Sequence, residues 1–184
     1  MLRALRFVTG AAVGLAVWWY ATPAYDRFLC AALRVAGMRA EAFGRMVRAT
    51  RVDAPFAQLP ADQLTYNMIL FAGLIAAATP RRVWRAIAAL LALVATHVLA
   101  LAVTIQNAYV NHSGKWGDTH YSDFAHDFWE AAEYIYRIGG MFAIAFVCWY
   151  LAATWAAAPG RRRESSRKSE RDGRGRRRAP GSRR

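Results

Sequence analysis

Residues suited to chemistry fall in two places along this chain. His97 stands alone in an apolar run, while His120, Asp123, His126, Asp127 and Glu130 lie close together in sequence. Carboxylates with imidazole can hold a divalent metal. On a helix over 122–134, Asp123, Asp127 and Glu130 share one face, and His112 or His120 can fold over from the preceding loop. The spacing matches no established signature such as H-E-x-x-H, so an acidic, solvated helix face outweighs a metal site. Ser113 and Cys30 are the nucleophile candidates outside the apolar runs. Neither sits in an elbow with a base partner, so no residue pattern asks for an enzyme or a cofactor. The second cysteine, Cys148, falls in the last apolar run, and two such distant cysteines form no disulfide or metal framework.

His97 belongs to the stretch that organises the chain. Arg81, Arg82 and Arg85 lead into Ala86–Ile105, whose only polar members are Thr96, His97 and Thr104. At about 1.5 Å per residue this run spans roughly 30 Å, the thickness of a bilayer's hydrocarbon core. An ionisable group inside a membrane is a functional candidate by default. Against that, a neutral imidazole bonded to a neighbouring helix is cheap, and no second titratable group is evident at the same depth in the other spans. Packing is therefore the favoured role of His97.

The elements that must position these residues follow from composition. The chain is 56% hydrophobic and 13% aromatic over 184 residues, yet its mean hydropathy is only +0.09. Residues 161–184 hold twelve Lys or Arg against three acids, a net +9 of the chain's +13. The expected fold is an all-α integral membrane protein. It has four transmembrane helices at about 5–22, 63–79, 84–107 and 136–157, an interfacial amphipathic helix at about 25–50, and an outer loop at 108–134. A disordered basic tail covers 159–184.

The first span ends in Trp18-Trp19-Tyr20 before Pro23, an interfacial aromatic belt that favours a retained helix over a cleaved signal peptide. From Tyr25 to Thr50, apolar residues recur at steps of three and four, with Arg27, Arg34, Glu41 and Arg48 opposite them. Such a helix either lies in the headgroup plane or packs on the spans of its own chain. Asp62 reads as the cap of the second span and Ser122 as the cap of a short helix leading into the last. Glu133 and Arg137 are spaced to pair.

Four spans put both termini on one side, with seventeen Lys and Arg against eight on the other. The positive-inside rule then places the termini and tail in the cytoplasm. Six arginines between 27 and 51 oppose that count, unless they face lipid phosphates. The tail's Arg161, Arg162, Arg163, Arg167 and Lys168 suit anionic lipid headgroups. With no aromatic residue among them for base stacking, they imply no specific nucleic acid. In the outer loop, Trp116, Tyr121, Phe124, Phe128 and Trp129 form the expected partner contact, since such side chains carry interface energy.

From about Phe7 to Trp155 the chain resembles the exosortase H-associated membrane proteins. The resemblance rests on Leu15-Ala-Val-Trp-Trp-Tyr20 before a proline and on the connector of some forty residues. It also rests on Tyr66-Asn-Met-Ile-Leu-Phe-Ala-Gly-Leu-Ile-Ala-Ala-Ala-Thr-Pro80 followed by arginines, and on Trp129-Glu130 before the final span. It implies a small accessory to an exosortase, a membrane enzyme that processes proteins bearing a C-terminal sorting signal. It carries over no functional residues, and the exosortase's own cysteine and arginine pattern is not recognisable in this chain.

Overall fold

The computed structural model describes residues 1–51, 56–78, 83–112 and 121–154. It is mostly helical, and three of its helices are long and apolar enough to cross a membrane: Leu2–Val35, Val83–Asn111 and Asp123–Thr154. The basic tail, Trp116 and His120 lie outside the described residues.

The first helix, α1 (Leu2–Val35), does not stop at the aromatic belt. It runs through Pro23, which corrects the expected end near residue 22. Proline removes one N–H and crowds the preceding turn, yet apolar helices tolerate it where neighbours re-satisfy the backbone. The carbonyl that Pro23 leaves without its helical donor is that of Trp19; one residue earlier, the Thr22 hydroxyl donates to the Trp18 carbonyl. The belt marks a change of surroundings instead. Leu5, Val8, Val13, Leu15 and Val17 are exposed, whereas every buried residue of α1 lies at Trp18 or beyond.

Glycine ends α1. Gly37 adopts φ 85°, its N–H reaching the Arg34 carbonyl and that of Met38 the Leu33 carbonyl. This pair of bonds is a Schellman closure. The interfacial helix expected over 25–50 is therefore replaced, after Val35, by a three-stranded antiparallel sheet: β1 (Arg39–Phe43), β2 (Met46–Thr50) and β3 (Ala57–Pro60), with β2 central. Phe43 pairs with Met46 across a two-residue loop that opens on Gly44 at φ 64°. That is the position where a tight hairpin turn takes glycine. Ala40, Val47 and Ala49 face inward and are buried. They form a core with Leu29, Cys30 and Leu33 of α1 and with Ala61, Leu64, Leu101 and Ile105.

Asp62 falls in a 3-10 turn, Ala61–Leu64, and α2 (Asn67–Ala78) begins after it. The described part of α2, 12 residues, is about 18 Å long, less than the thickness of a bilayer's hydrocarbon core. It runs antiparallel to the first half of α1 at very close range. A Cβ added at Gly10 would collide with the Ala76 Cβ, and one at Gly14 would lie 2.7 Å from the Ala72 Cβ. Small residues spaced in this way let helix backbones approach in lipid.

Helix α3 (Val83–His112) carries the central apolar run and continues past its expected end near 107. Ser122 caps α4 (Asp123–Ile135), its Oγ accepting from the Ala125 N–H. α4 then passes through a π-helical segment, Tyr136–Gly140, into α5 (Met141–Thr154). The second half of the expected outer loop is thus helix, continuous with the last span. The described part of that span begins at 123 rather than 136.

Candidate functional site

His97 is fully buried on α3, and the fold brings three other helices to it at one level. Its Nε2 lies 2.6 Å from Asn67 Oδ1 at the start of α2, and its Nδ1 lies 2.7 Å from the Tyr25 hydroxyl on α1. Asn67 Nδ2 in turn donates to the Met141 carbonyl of α5 at 3.0 Å. That last bond sets the polarity of the set, because a carbonyl can only accept. The Asn67 amide must turn its NH₂ toward Met141 and its oxygen toward His97. Nε2 then carries the imidazole proton, Nδ1 offers its lone pair, and the Tyr25 O–H donates to it. Every polar group of the chain Tyr25–His97–Asn67–Met141 is satisfied with a neutral imidazole.

Neighbouring bonds brace the same level. Trp18 Nε1 donates to Thr65 Oγ1 at 2.9 Å, and the Tyr136 hydroxyl donates to the Leu64 carbonyl at 2.9 Å. At about 1.5 Å per residue, Asn67, His97 and Met141 lie roughly 17–21 Å from Ala78, Val83 and Thr154, the limits of the described residues in these helices. The four helices are therefore joined by one polar rung near the sheet end. The expectation that His97 lacks a titratable neighbour is overturned by Tyr25. A first helix ending before Pro23 would place Tyr25 in a different element.

Asp26, next to Tyr25, is a group that no sequence pattern singles out. It is fully buried on the face shared with Thr22 and Cys30, and among the described residues neither carboxyl oxygen has a hydrogen-bond partner. The nearby charges acting on it are Asp62 and Arg45. A carboxyl held in this way costs stability. Leucine copies its branching without the polar atoms, so Asp26→Leu is expected to raise unfolding stability by about 1–3 kcal/mol in detergent melts. A folded Asp26→Leu protein that loses activity in cells would instead mark Asp26 as a working group.

The acidic cluster is only partly assembled. His126 Nδ1 sits 3.7 Å from Glu130 and 4.0 Å from Asp127, all three on the surface of α4. Asp123 is exposed at the start of the same helix. Among the described residues no three His, Cys, Asp or Glu side chains converge to hold a metal. Cys30 and Cys148 are both free and buried. Glu133 does meet Arg137, at 2.7 Å, and also accepts from Asn107 Nδ2 at 2.6 Å, fastening α4 to α3.

The aromatic residues of this region separate into two groups. Phe124 and Phe128 are exposed, 79% and 52%, and stack with ring centroids 6.3 Å apart. Trp129 meets Phe128 edge-on at 5.1 Å. Tyr121 turns the other way, its hydroxyl held by Arg51 Nη1 and by Gln106 Nε2. It lines a cavity and does not belong to the ridge. Comparison with protein-family models, curated proteins and solved structures gives no match to this chain.

Proposed function

We propose that this chain is a non-enzymatic accessory protein of a bacterial inner membrane, serving an exosortase-type sorting system through contacts at the outer face. The observation that carries the reading is the ridge of Phe124, Phe128 and Trp129 at the start of α4. Two large stacked rings left exposed on a polar, acidic helix are the kind of surface that a partner covers.

The proposed topology has four passes, with the basic tail cytoplasmic and the sheet outside. In its favour, α2 returns beside α1 at close range, and the 3-10 turn before it can extend the short helix into the headgroup layer. The arginines of 27–51 lose their conflict with orientation if they lie at headgroup depth. Several are engaged within the chain: Arg34 with Glu41 at 3.6 Å, Arg45 over the Trp19 ring at 3.7 Å, and Arg48 near the rings of Phe43 and Phe56. His97 serves this reading as a strut, since its neutral network leaves no nitrogen free for proton relay.

Affinity-tagged chain co-expressed with the exosortase of its own host is expected to co-purify with it. The Phe124→Ser/Phe128→Ser protein should fold normally and lose at least tenfold of the recovered partner. Undiminished recovery with the double variant would remove the ridge from the account.

A further inference from the structure

The cavity lined by Tyr121 has a definite chemistry. It measures about 540 Å³ and lies between the ends of the β1–β2 hairpin and the last turns of α3. Arg39, Thr50, Arg51, Gln106, Tyr109 and Tyr121 supply its polar wall, and among the described residues its lining holds no acid. Arg39 pairs with Thr50 across the hairpin and Arg51 is the next residue along, so both arginines stand at the hairpin's open end, against the cavity. Arg51 is aimed by the Tyr121 hydroxyl and by the Tyr109 ring, 5.3 Å from its guanidinium carbon.

Depth narrows the ligand. Ile105 closes the apolar run of α3, and the cavity wall continues directly into Gln106 and Tyr109. If the whole run Ala86–Ile105 is taken as the hydrocarbon span, this is the level of the headgroups, where tyrosines concentrate in membrane proteins. Guanidinium forks match phosphate oxygens, and tyrosine hydroxyls and a glutamine amide can complete the shell.

We propose that this cavity binds the phosphate of an anionic phospholipid headgroup, with Arg39 and Arg51 as its cationic jaws. The proposal rests on the reading of the sheet end as headgroup-facing, but it is independent of the α4 ridge.

The test is native mass spectrometry of the full-length chain in a neutral detergent. The probes are phosphatidylglycerol, phosphatidylcholine and inorganic phosphate. The wild type should retain one phosphatidylglycerol, preferred over phosphatidylcholine, and Arg39→Gln should reduce its occupancy about tenfold. Arg51→Lys, which keeps the charge but loses the fork, should show an intermediate loss and serves if Arg39→Gln lowers the melting midpoint. Equal retention of the two lipids, or occupancy unchanged by either substitution, overturns the proposal. So does Arg39-dependent binding of inorganic phosphate without lipid retention. Loss of lipid with normal co-purification of the exosortase would leave the ridge reading intact, and the converse would leave the lipid site intact.

Discussion

His97→Leu is expected to lower the stability of the fold by about 2–5 kcal/mol. The substitution leaves the Asn67 carbonyl oxygen buried without its donor and the Tyr25 hydroxyl without its acceptor. Each such orphan costs about 1–3 kcal/mol. Denaturant titration in mixed micelles, followed by tryptophan fluorescence, measures the loss. The physical cause can be separated from mere loss of bulk by adding the partners' own replacements. His97→Leu combined with Tyr25→Phe and Asn67→Leu removes both orphans, and recovery of part of the lost stability is expected because these residues act as one set. A His97→Leu protein of unchanged stability but abolished solute or proton flux would instead identify His97 as a transport group.

Gly10→Ile should be at least as damaging, costing about 3 kcal/mol or more. Even the first added carbon would collide with the Ala76 side chain and lie 3.0 Å from the Ala72 carbonyl oxygen. Backbone cannot yield there without separating α1 from α2. Overpacking of a tight interface usually costs about 1–3 kcal/mol, and a β-branched side chain adds further carbons beyond the first clash. Gly73→Ala is the milder comparison: it adds one carbon, which meets the movable Phe7 ring at 2.9 Å and the Phe7 carbonyl oxygen at 3.1 Å, and no side chain as close as Ala76 is to Gly10. Thermal melts should rank wild type above Gly73→Ala and Gly73→Ala above Gly10→Ile. Equal melting of Gly10→Ile and wild type would show that α1 and α2 are not in close contact.

The parts of the fold legible from sequence are those that a membrane imposes on composition. The run Ala86–Ile105 fell inside α3, and the Ser122 cap and the Glu133–Arg137 pair formed as their spacing implied. The misread segment was 25–50. Ala40 and Val47 satisfy both a helical step and the inward positions of a hairpin, and alanine-rich strands carry little β propensity. Gly37 and Gly44 were the punctuation that could have decided the matter, one as a helix stop and the other as a hairpin turn. Pro23 acted as a false stop, since a proline inside an apolar helix need not end it.

The rung at His97 was harder to foresee. Tyr25 and Asn67 lie 72 and 30 residues from it in sequence. No local pattern joins them, and only the packing of α1 and α2 on α3 brings them to one depth. The approach that sets this packing did leave a trace, because Gly10 and Gly14 form a G-x-x-x-G in an apolar helix. The metal-type cluster looked denser in sequence than it is in space, since His126 meets Glu130 and Asp127 on an open surface.

The central claim is that this chain works by contact and not by chemistry. It is tested most directly by following cleavage of an exosortase substrate in cells that carry one variant at a time in place of the wild type. Phe124→Ser/Phe128→Ser is expected to abolish cleavage at normal protein levels, while Asp123→Asn/Asp127→Asn leaves it intact. Normal cleavage with the ridge variant, and loss with the folded carboxylate variant, would contradict the account and assign the work to the acidic face of α4.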